Sequence, residues 1–487
     1  MKITYHSTRN SELTASASEA ILKGIAPDGG LYVPDQIPKL KLSFEKLARM
    51  DYAHVAYEVM KLFFTDFTEE ELMYCIKGAY NTEKFDTEDI TTLVDADGAY
   101  YLELFHGSTI AFKDMALSIL PYLMTTSAKK CGSKEEIVIL TATSGDTGKA
   151  ALAGFADVPG TSIVVFYPKS GVSRVQEKQM VTQKGKNVNV IGIKGNFDDA
   201  QTAVKNIFTD PELAERMKAA GYRFSSANSI NIGRLIPQVA YYVYAYTRLC
   251  PQKINFVVPT GNFGNILAAY YACKMGIPVN KLICASNRNK VLFDFFETGV
   301  YDRNREFYLT PSPSMDILIS SNLERLVAEI AGDKTAELMQ QLKTEGKYEI
   351  TAEMKEKLGL FVGGYAEDAE MAEAISSLYN KEGYIIDTHT AVASAVYNKY
   401  RKETGDNTCT VIASTASPYK FTRAVLNAID SKYDSKEDFE LFDDLNKLSN
   451  VAIPKAIKDI ISAPVLHDRV CEKDGLMAEV ERIYLNK

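Results

Sequence analysis

The chain has 487 residues, of which 46% are hydrophobic and 24% charged, a composition typical of a globular protein large enough for two or three lobes. Its formal net charge of -8 and the lack of any block of Lys or Arg argue against nucleic acids and anionic membranes as partners. Residues 1–10 are polar and no apolar run approaches the ~20 residues that span a bilayer, which predicts a cytoplasmic protein without a membrane partner.

Cysteine and histidine usage argues against redox and metal chemistry. The seven cysteines are odd in number and form no CxxC pair, which predicts reduced thiols rather than a disulfide framework. The five histidines are too scattered along the chain to predict a metal site. An organic cofactor or unassisted side chains must therefore carry any catalysis.

The first predicted elements are helices. Over residues 44–77 apolar residues recur at three- and four-residue spacing with charges between them, and Pro34 and Pro38 precede this stretch. The pattern predicts a mostly helical N-terminal unit.

After Asp97 and Gly98 the pattern changes to short apolar runs, each closed by a turn and followed by a helical period. The predicted strands are 137–141, 162–167, 188–193, 254–259, 282–286 and 409–414, and the clearest following helices are 148–156 and 265–275. This alternation predicts an α/β architecture with a mainly parallel sheet.

One lysine, Lys113, lies in an otherwise apolar stretch, residues 104–117, where a helix is predicted to begin. Burial lowers the pKa of a lysine, and the neutral amine is the form that attacks an aldehyde to give a Schiff base. The alternative is a lysine at a helix start whose ammonium reaches solvent. The local sequence leaves both interpretations open.

The segment Thr143-Ser144-Gly145-Asp146-Thr147-Gly148-Lys149 connects a predicted strand to a predicted helix. Such a loop presents backbone N–H groups and hydroxyls at the positive end of a helix, which suits a carboxylate or phosphate. It is not a P-loop, because Thr143 stands where the first glycine is required and Ala150 where the magnesium-binding hydroxyl is required. A tight connection without a ligand is the open alternative.

A second connection of this kind is Pro259-Thr260-Gly261-Asn262-Phe263-Gly264-Asn265. The two glycines let the backbone approach a phosphate closely while the helix dipole favours its charge. Phe263 occupies the place of the second glycine of GxGxxG, which argues against a dinucleotide. A single phosphate is the predicted ligand.

Thr415 directly follows the last predicted strand. In open α/β sheets the ligand crevice lies beyond the carboxyl ends of the strands, so Thr415 is positioned to present its hydroxyl to a ligand. A hydroxyl that only satisfies a turn is the alternative.

Taken in order, these segments resemble the threonine synthase family, in the class shared by bacteria and fungi, among the pyridoxal 5′-phosphate (PLP) enzymes of the tryptophan synthase β fold. The match covers most of the chain and includes further segments at 7–9, 22–34, 228–231, 312–318 and 387–391. Ser108 departs from the pattern, since many relatives carry proline there; we expect a minor effect because Lys113 is kept. The resemblance implies a two-lobed α/β fold, PLP fold type II, with mainly parallel sheets, a helical N-terminal unit and a helical insertion.

This fold implies three parts. We expect the helical N-terminal unit over residues 1–97, the PLP-binding two-lobed core over 98–430 and a C-terminal helical extension over 431–487. Within the core, the smaller lobe is expected near residues 130–235 and the inserted helices near 293–380.

The resemblance also implies roles for single residues. Lys113 resembles the catalytic lysine that holds PLP as a Schiff base, Asp146 the residue facing the 3′-oxygen of the cofactor, and Thr415 the hydroxyl partner of the pyridine nitrogen. The residues implied as the cradle of the cofactor phosphate are Gly261, Asn262, Phe263, Gly264 and Asn265. The residues implied as the substrate carboxylate loop are Ser144, Gly145 and Thr147.

A second anion site is expected at Asn228-Ser229-Ile230-Asn231-Ile232-Gly233-Arg234, which precedes a helical run. Asn228 and Ser229 offer donors near a helix start, and Arg234 adds a planar, permanently charged fork suited to phosphate oxygens. Arg234 resembles the ligand of the substrate phosphate in the family. The alternative is an arginine on a solvated helix face.

The resemblance implies conversion of O-phospho-L-homoserine and water to L-threonine and phosphate, with this small molecule as partner and a monomer or homodimer as assembly. Sister enzymes such as serine or threonine dehydratase, cysteine synthase or a related phospholyase share Lys113 and the glycine cradle. Membership in one of these sister families would not account for the long N-terminal unit or for residues 312–318. The remaining alternative is a non-catalytic binding protein on the same fold; the intact lysine, cradle and Thr415 argue against it.

Overall fold

The computed structural model describes residues 2–143, 145–172, 174–437, 439–449 and 451–486. Among these residues no helix combines the length and the apolar composition needed to cross a bilayer. A six-stranded sheet and a five-stranded sheet organise most of the described chain.

The strands are β1 (Tyr5–Ser7), β2 (Thr14–Ala15), β3 (Tyr32–Pro34), β4 (Thr92–Ala96), β5 (Ala99–Glu103), β6 (Glu136–Ala142), β7 (Thr161–Pro168), β8 (Val188–Lys194), β9 (Tyr222–Ser225), β10 (Ile254–Pro259), β11 (Val279–Ser286), β12 (Val300–Asp302), β13 (Lys347–Glu349), β14 (Phe361–Tyr365), β15 (Cys409–Ser414) and β16 (Val470–Glu472). The α-helices are α1 (Ala17–Lys23), α2 (Phe44–Leu47), α3 (Tyr52–Phe63), α4 (Glu69–Ala79), α5 (Lys113–Leu117), α6 (Leu120–Lys130), α7 (Asp146–Phe155), α8 (Arg174–Val181), α9 (Phe197–Thr209), α10 (Pro211–Ala219), α11 (Ile232–Leu249), α12 (Gly264–Met275), α13 (Val291–Thr298), α14 (Leu323–Ala331), α15 (Thr335–Thr344), α16 (Ala352–Glu356), α17 (Asp368–Glu382), α18 (Thr388–Thr404), α19 (Thr422–Ile429), α20 (Glu440–Ser449), α21 (Lys455–Ser462) and α22 (Leu476–Tyr484).

The larger sheet has the order β14-β11-β10-β15-β5-β4, and every pairing in it is parallel except that of β4 with β5. Its central strands β10 and β15 coincide with the predicted strands 254–259 and 409–414. Both are short apolar runs ended by turn residues, and β10 is buried along its whole length, as in parallel sheets covered by helices on both faces.

The smaller sheet has the order β16-β8-β7-β6-β9 and is parallel throughout. Its strands β6 to β9 lie in the range expected for the smaller lobe. The predicted strands 137–141, 162–167 and 188–193 are confirmed as β6, β7 and β8, with ends shifted by one residue. The two-lobed α/β fold with mainly parallel sheets is therefore confirmed.

The helical stretch predicted over residues 44–77 is confirmed as α2, α3 and α4. Asp51 caps α3 by accepting a hydrogen bond from the His54 backbone at 2.8 Å, and Thr68 and Glu71 form a capping box at the start of α4. Buried apolar faces of α3 and α4 pack on α11 and α6 of the core. The small sheet of β1, β2 and β3 was not expected, because strands of two or three residues carry no readable period.

The change of pattern at Asp97-Gly98 coincides with a hairpin turn between β4 and β5. Both residues have positive φ, 49° and 79°, which is the turn chemistry of a short antiparallel connection between β4 and β5. A strand from the first expected part thus pairs with the core. The division of the chain into 1–97, 98–430 and 431–487 stays a prediction.

Two expected helical regions contain strands as well. The insertion near 293–380 includes β14, which pairs in parallel with β11 at the edge of the larger sheet. The C-terminal part is not purely helical, because β16 pairs with β8 in the smaller sheet and α22 packs beside α9. The chain therefore returns to the smaller lobe at its end.

Candidate active site

A cavity of about 550 Å³ lies where the carboxyl ends of β6, β10 and β15 meet the first turns of α5, α11 and α12. The predicted site residues that line it are Lys113, Thr147, Asn228, Ser229, Arg234, Gly261, Asn262, Phe263, Gly264, Asn265 and Thr415. Ser144 lies outside the described residues. Side chains that are distant in sequence and that follow strands of both sheets are thus brought to one place.

Lys113 is the first residue of α5, where the sequence predicts a helix start. Its Nζ lies 3.2 Å from Ser314 Oγ and 3.7 Å from Asp146 Oδ2, and 11% of its side chain is exposed. Burial lowers the pKa of the amine below its usual value, which favours the neutral, nucleophilic form. The alternative of an ammonium held in solvent is therefore wrong.

Asp146 is the first residue of α7; it is not among the residues that line the cavity, but its Oδ2 lies 3.7 Å from Lys113 Nζ. Its Oδ1 accepts a hydrogen bond from Gln176 Nε2 at 3.1 Å and lies 3.3 Å from Lys420 Nζ. Burial opposes ionisation of this carboxyl, but the Lys420 and Lys113 ammoniums outweigh it and hold the pKa well below its usual range. Asp146 is therefore a carboxylate across the physiological range.

The loop between β10 and α12 has the features of a phosphate cradle. Phe263 precedes the helix with a left-handed φ of 63°, and no side chain caps the first turn, which leaves its N–H groups for a ligand. Asn265 Oδ1 accepts hydrogen bonds from Tyr241 and Tyr242, both at 2.6 Å. The amide is thereby fixed, and its buried Nδ2 at the cavity has no hydrogen-bond partner in the described part of the chain.

These features fit PLP. A helix start without a side-chain cap and an orphaned buried amide donor suit a phosphate monoester, and a buried lysine of lowered pKa suits an aldehyde. The cradle also requires a glycine at position 261, because its backbone lies close to the neighbouring loop. A Cβ built on Gly261 would lie 2.3 Å from the Ser314 carbonyl oxygen.

We predict that Gly261→Ala weakens PLP binding about tenfold to a hundredfold, because the added methyl displaces the Ser314 backbone at a cost of about 1–3 kcal/mol. Gly359→Ala is the control, since Gly359 does not line the cavity and a Cβ there would meet its nearest atom at 3.4 Å, an ordinary contact. Fluorescence titration of cofactor-free protein with PLP measures both. Equal affinities of the two variants would show that the tight contact at Gly261 does not shape the cradle.

Arg234 lies in the first turn of α11, after Asn231 has capped the helix by accepting from the Gly233 backbone at 2.9 Å. Its side chain is 4% exposed, so the alternative of a solvated arginine is wrong. One guanidinium nitrogen donates to the Ala227 carbonyl at 2.8 Å, while Nε is buried and has no hydrogen-bond partner among the described residues. Burial lowers the pKa to about 10, which still leaves a cation with unused donors beside the cavity.

The loop after β6 is held by Thr143, whose Oγ1 accepts from the backbones of Gly145 at 3.0 Å and Gly148 at 2.9 Å. Gly145 adopts φ of +140°, and a Cβ there would meet Gln176 Nε2 at 2.4 Å. Thr147 lines the cavity, whereas Gly145 is not among the residues that line it. The backbone of this turn is thus fixed by the sequence at Thr143 and Gly145.

Thr415 is 5% exposed and lines the cavity directly after β15. Its carbonyl accepts from the Phe112 backbone at 2.8 Å, and its N–H donates to Thr390 Oγ1 at 3.3 Å. The first of these bonds ties the strand end to the residue before Lys113. Thr415 is therefore part of the cavity wall and not of an external turn.

Sequence reasoning assigned no role to several residues that touch the site. Ser314 N donates to His389 Nε2 at 3.0 Å, and His389 Nδ1 lies 2.9 Å from Asp387 Oδ1, so His389 and Asp387 hold the loop that carries Ser314. Lys420 and Gln176 hold Asp146. Residues 312–318 and 387–391 supported the family resemblance, but no local pattern showed that they meet Lys113 and Asp146.

Comparison with known proteins gives one consistent result. The family described as "Threonine synthase N terminus" matches residues 4–80, "Pyridoxal-phosphate dependent enzyme" matches 77–415, and "Threonine synthase, C-terminal" matches 390–466. Threonine synthase of Saccharomyces cerevisiae is 37% identical over 501 residues, which cover 95% of this chain and 96% of the yeast protein.

A solved structure of PLP-bound threonine synthase from Brucella melitensis superposes with a TM-score of 0.87 at 34% identity, covering 99% of each chain. Human threonine synthase-like 1 is 40% identical over 439 residues, which are 85% of this chain but 58% of the human protein. The similarity to the yeast and Brucella proteins extends over all three expected parts of the chain.

Proposed function

Because the chain belongs to the threonine synthase family of PLP-dependent enzymes, we propose that it converts O-phospho-L-homoserine and water to L-threonine and phosphate, the last step of threonine biosynthesis. One observation carries the proposal: a single cavity joins a lysine of lowered pKa to two separate groups of anion donors. One group lies at the start of α12, and the other is formed by Asn228, Ser229 and Arg234. A substrate with its own phosphate needs both groups.

We assign the cofactor phosphate to the first group, Gly261 through Asn265, and the cofactor aldehyde to Lys113. Asp146 would then be the residue near the 3′-oxygen of the ring, and Thr415 the hydroxyl partner of its nitrogen. When bound, PLP supplies an electron sink for the negative charge that develops on substrate carbons. A neutral hydroxyl at the ring nitrogen withdraws electrons less strongly than a protonating carboxylate would.

Lys113 moves the protons. We assign to Lys113 the removal of the proton from the substrate Cα, because burial lowers the pKa of its amine and so favours the neutral form. A second proton leaves Cβ and phosphate leaves Cγ. A proton is then returned to Cγ, water adds its hydroxyl at Cβ, a proton is returned to Cα, and the remaining proton of that water is taken up by the phosphate. Ser314 Oγ, 3.2 Å from Nζ, orients the amine for these transfers.

The substrate is held at its two charged ends. We assign its carboxylate to the loop that carries Ser144, Gly145 and Thr147, at the positive end of α7. Its phosphate faces Arg234, whose unpaired Nε is a donor ready for an oxygen, with Asn228 and Ser229 beside it. Binding at both ends would fix the substrate relative to Lys113 and exclude bulk water from the site.

We predict that Thr415→Asp keeps PLP but lowers the yield of threonine relative to keto acid. A carboxylate at the ring nitrogen favours its protonated form and changes how the carbanion partitions. Product ratios by chromatography measure the effect, with Thr390→Ser, which keeps the hydroxyl that binds the Thr415 backbone, as a control. An unchanged ratio would place Thr415 away from the ring nitrogen.

Turnover of O-phospho-L-homoserine by the purified protein tests the function, with phosphate, threonine and 2-oxobutyrate measured together. Threonine and phosphate are expected in equal amounts. A keto acid and ammonia as the main products would identify a dehydratase or phospholyase, and absence of any product would identify a binding protein.

We further propose that the enzyme works in the cytoplasm, since the seven cysteines are all free thiols in the structure, as in reducing compartments. The small-molecule substrate is its partner. The expected monomer or homodimer and the three-part division of the chain are retained as parts of this proposal.

A further inference from the structure

Lys420 is a buried lysine that has no place in the catalytic scheme above. It ends a short 3₁₀ turn, Pro418–Lys420, and 3% of its side chain is exposed. Its Nζ donates to the Thr109 carbonyl at 2.9 Å and lies 3.3 Å from Asp146 Oδ1. It is not among the residues that line the cavity. Its ammonium therefore acts on the reacting groups through its contact with Asp146 and through its charge.

Asp146 is shared between two lysines. Its Oδ1 faces Lys420 and its Oδ2 faces Lys113, at 3.3 and 3.7 Å. A buried carboxylate next to a buried amine would hold a proton on that amine unless a second cation balanced the negative charge. Lys420 is the cation in position to do this, since it is anchored from the opposite side by Thr109.

The anchor of Lys420 belongs to the loop that leads into α5. Thr109 donates to Asp114 from its backbone at 2.7 Å and from its hydroxyl at 2.6 Å, and its carbonyl accepts from Lys420. Thr109, whose carbonyl holds Lys420, thus lies four positions before Lys113 in the chain. The contact between Lys420 and Asp146 joins this loop to α7 of the smaller lobe.

We propose that Lys420 is a positioning residue whose fixed positive charge balances Asp146 and so keeps the Lys113 nitrogen free to lose its proton. The proposal rests on the proposed function, since it takes Lys113 as the cofactor lysine. Lys420 also orients the Asp146 carboxylate: it contacts Oδ1, and Oδ2 then faces Lys113. Removal of its charge leaves Asp146 as an unbalanced anion beside Lys113.

The direction of the effect follows from the charges around Lys113. Burial lowers the pKa of Lys113 most, Asp146 raises it, and Lys420 and Arg234 lower it, while Asp114 acts in the same direction as Asp146. His389 is the remaining charged or titratable neighbour that acts on Asp146. Loss of the Lys420 charge leaves all the others in place, so the pKa of the Lys113 nitrogen must rise.

The test uses Lys420→Met and Lys420→Gln, with Lys420→Arg as the rescue. The rate of PLP uptake by cofactor-free enzyme is followed against pH, which reports the neutral fraction of Lys113, and the absorption of the bound cofactor is titrated over the same range. Both midpoints are expected to move up by about one pH unit in the neutral variants and to return toward the wild type in the arginine variant.

Lys436→Met is the matched control, because Lys436 also pairs with an aspartate, Asp444 at 2.6 Å, but at the surface of the same C-terminal region. It should leave both midpoints unchanged. If the neutral Lys420 variants do not fold, Asp146→Asn tests the same balance from the other side: an unbalanced Lys420 should move the midpoints down.

Folded Lys420→Met that takes up PLP with the wild-type pH profile would overturn the proposal, as would an unchanged profile in Asp146→Asn. Failure of the wild-type enzyme to take up PLP at Lys113 would instead overturn the proposed function. The two failures are therefore distinguishable.

Discussion

Replacement of Lys113 by alanine is expected to remove the covalently bound cofactor and to lower threonine formation by about a hundredfold to ten-thousandfold. Lys113 combines three features: it starts α5 at the cavity wall, its side chain is 11% exposed, and burial lowers the pKa of its amine. Both its reaction with the aldehyde and its proton transfers need this neutral amine. Non-covalent PLP should remain in part, because the cradle at the start of α12 is intact.

Borohydride reduction followed by peptide mapping measures the attachment. The matched control is Lys84, another lysine whose pKa is lowered by burial, to about 8, but whose Nζ faces Tyr122 Oη at 3.2 Å instead of the cavity. Lys84→Ala should keep the pyridoxyl label and the activity. A label on any lysine other than Lys113 would contradict the assignment of Lys113 as the cofactor lysine.

The second large effect is expected at Arg234. Its replacement by alanine should lower kcat/KM for O-phospho-L-homoserine about tenfold to a hundredfold, since one charge-assisted hydrogen bond contributes ~1.5–3 kcal/mol. PLP binding and reaction with serine or homoserine should change much less. The physical basis is a buried cation whose Nε has no partner within the described protein.

Arg325 is the control that shows the effect of removing a buried arginine whose role is structural. It is also buried, and burial lowers its pKa to about 10, but it binds protein carbonyls, among them that of Tyr32 at 2.9 Å. Arg325→Met should lower stability and affect all substrates alike. If Arg234→Ala gives equal losses for phosphorylated and unphosphorylated amino acids, Arg234 is structural and the second anion site lies elsewhere.

The central strands could be predicted because their signals are local. β10 and β15 are apolar runs that end at turn residues, and no other part of the chain is needed to recognise them. The loops that follow them could be placed at the ligand crevice for the same reason, since ligands bind beyond the carboxyl ends of parallel strands.

β14 was missed because its sequence, FVGGY, contains two glycines, which disfavour strands. The structure explains one of them: a Cβ at Gly364 would meet Val396 Cγ1 of α18 at 2.4 Å. The glycine is needed for a close approach of helix and sheet, and this requirement comes from a residue 32 positions away. Propensity alone cannot show such a demand.

The candidate site also contains residues with a local sequence signal and residues without one. Lys113, the α12 loop and Thr415 could be selected as candidates from their own segments, and the family resemblance gave them roles, but the residues that contact them could not be selected in this way. Ser314 lies 201 positions from the lysine it contacts, and Lys420 lies 311 positions from the carbonyl that anchors it. Contacts of this kind depend on the packing of the two lobes, which leaves no periodic trace in the sequence.

The central claim is a replacement at Cβ with departure of phosphate from Cγ, and reaction in water enriched in oxygen-18 tests it most directly. Water adds at Cβ, while phosphate leaves with its own bridging oxygen. The enzyme should therefore give threonine that carries the label in its hydroxyl group, together with unlabelled phosphate, both read by mass spectrometry. Labelled phosphate accompanied by homoserine would show simple cleavage between phosphorus and oxygen and would contradict the account.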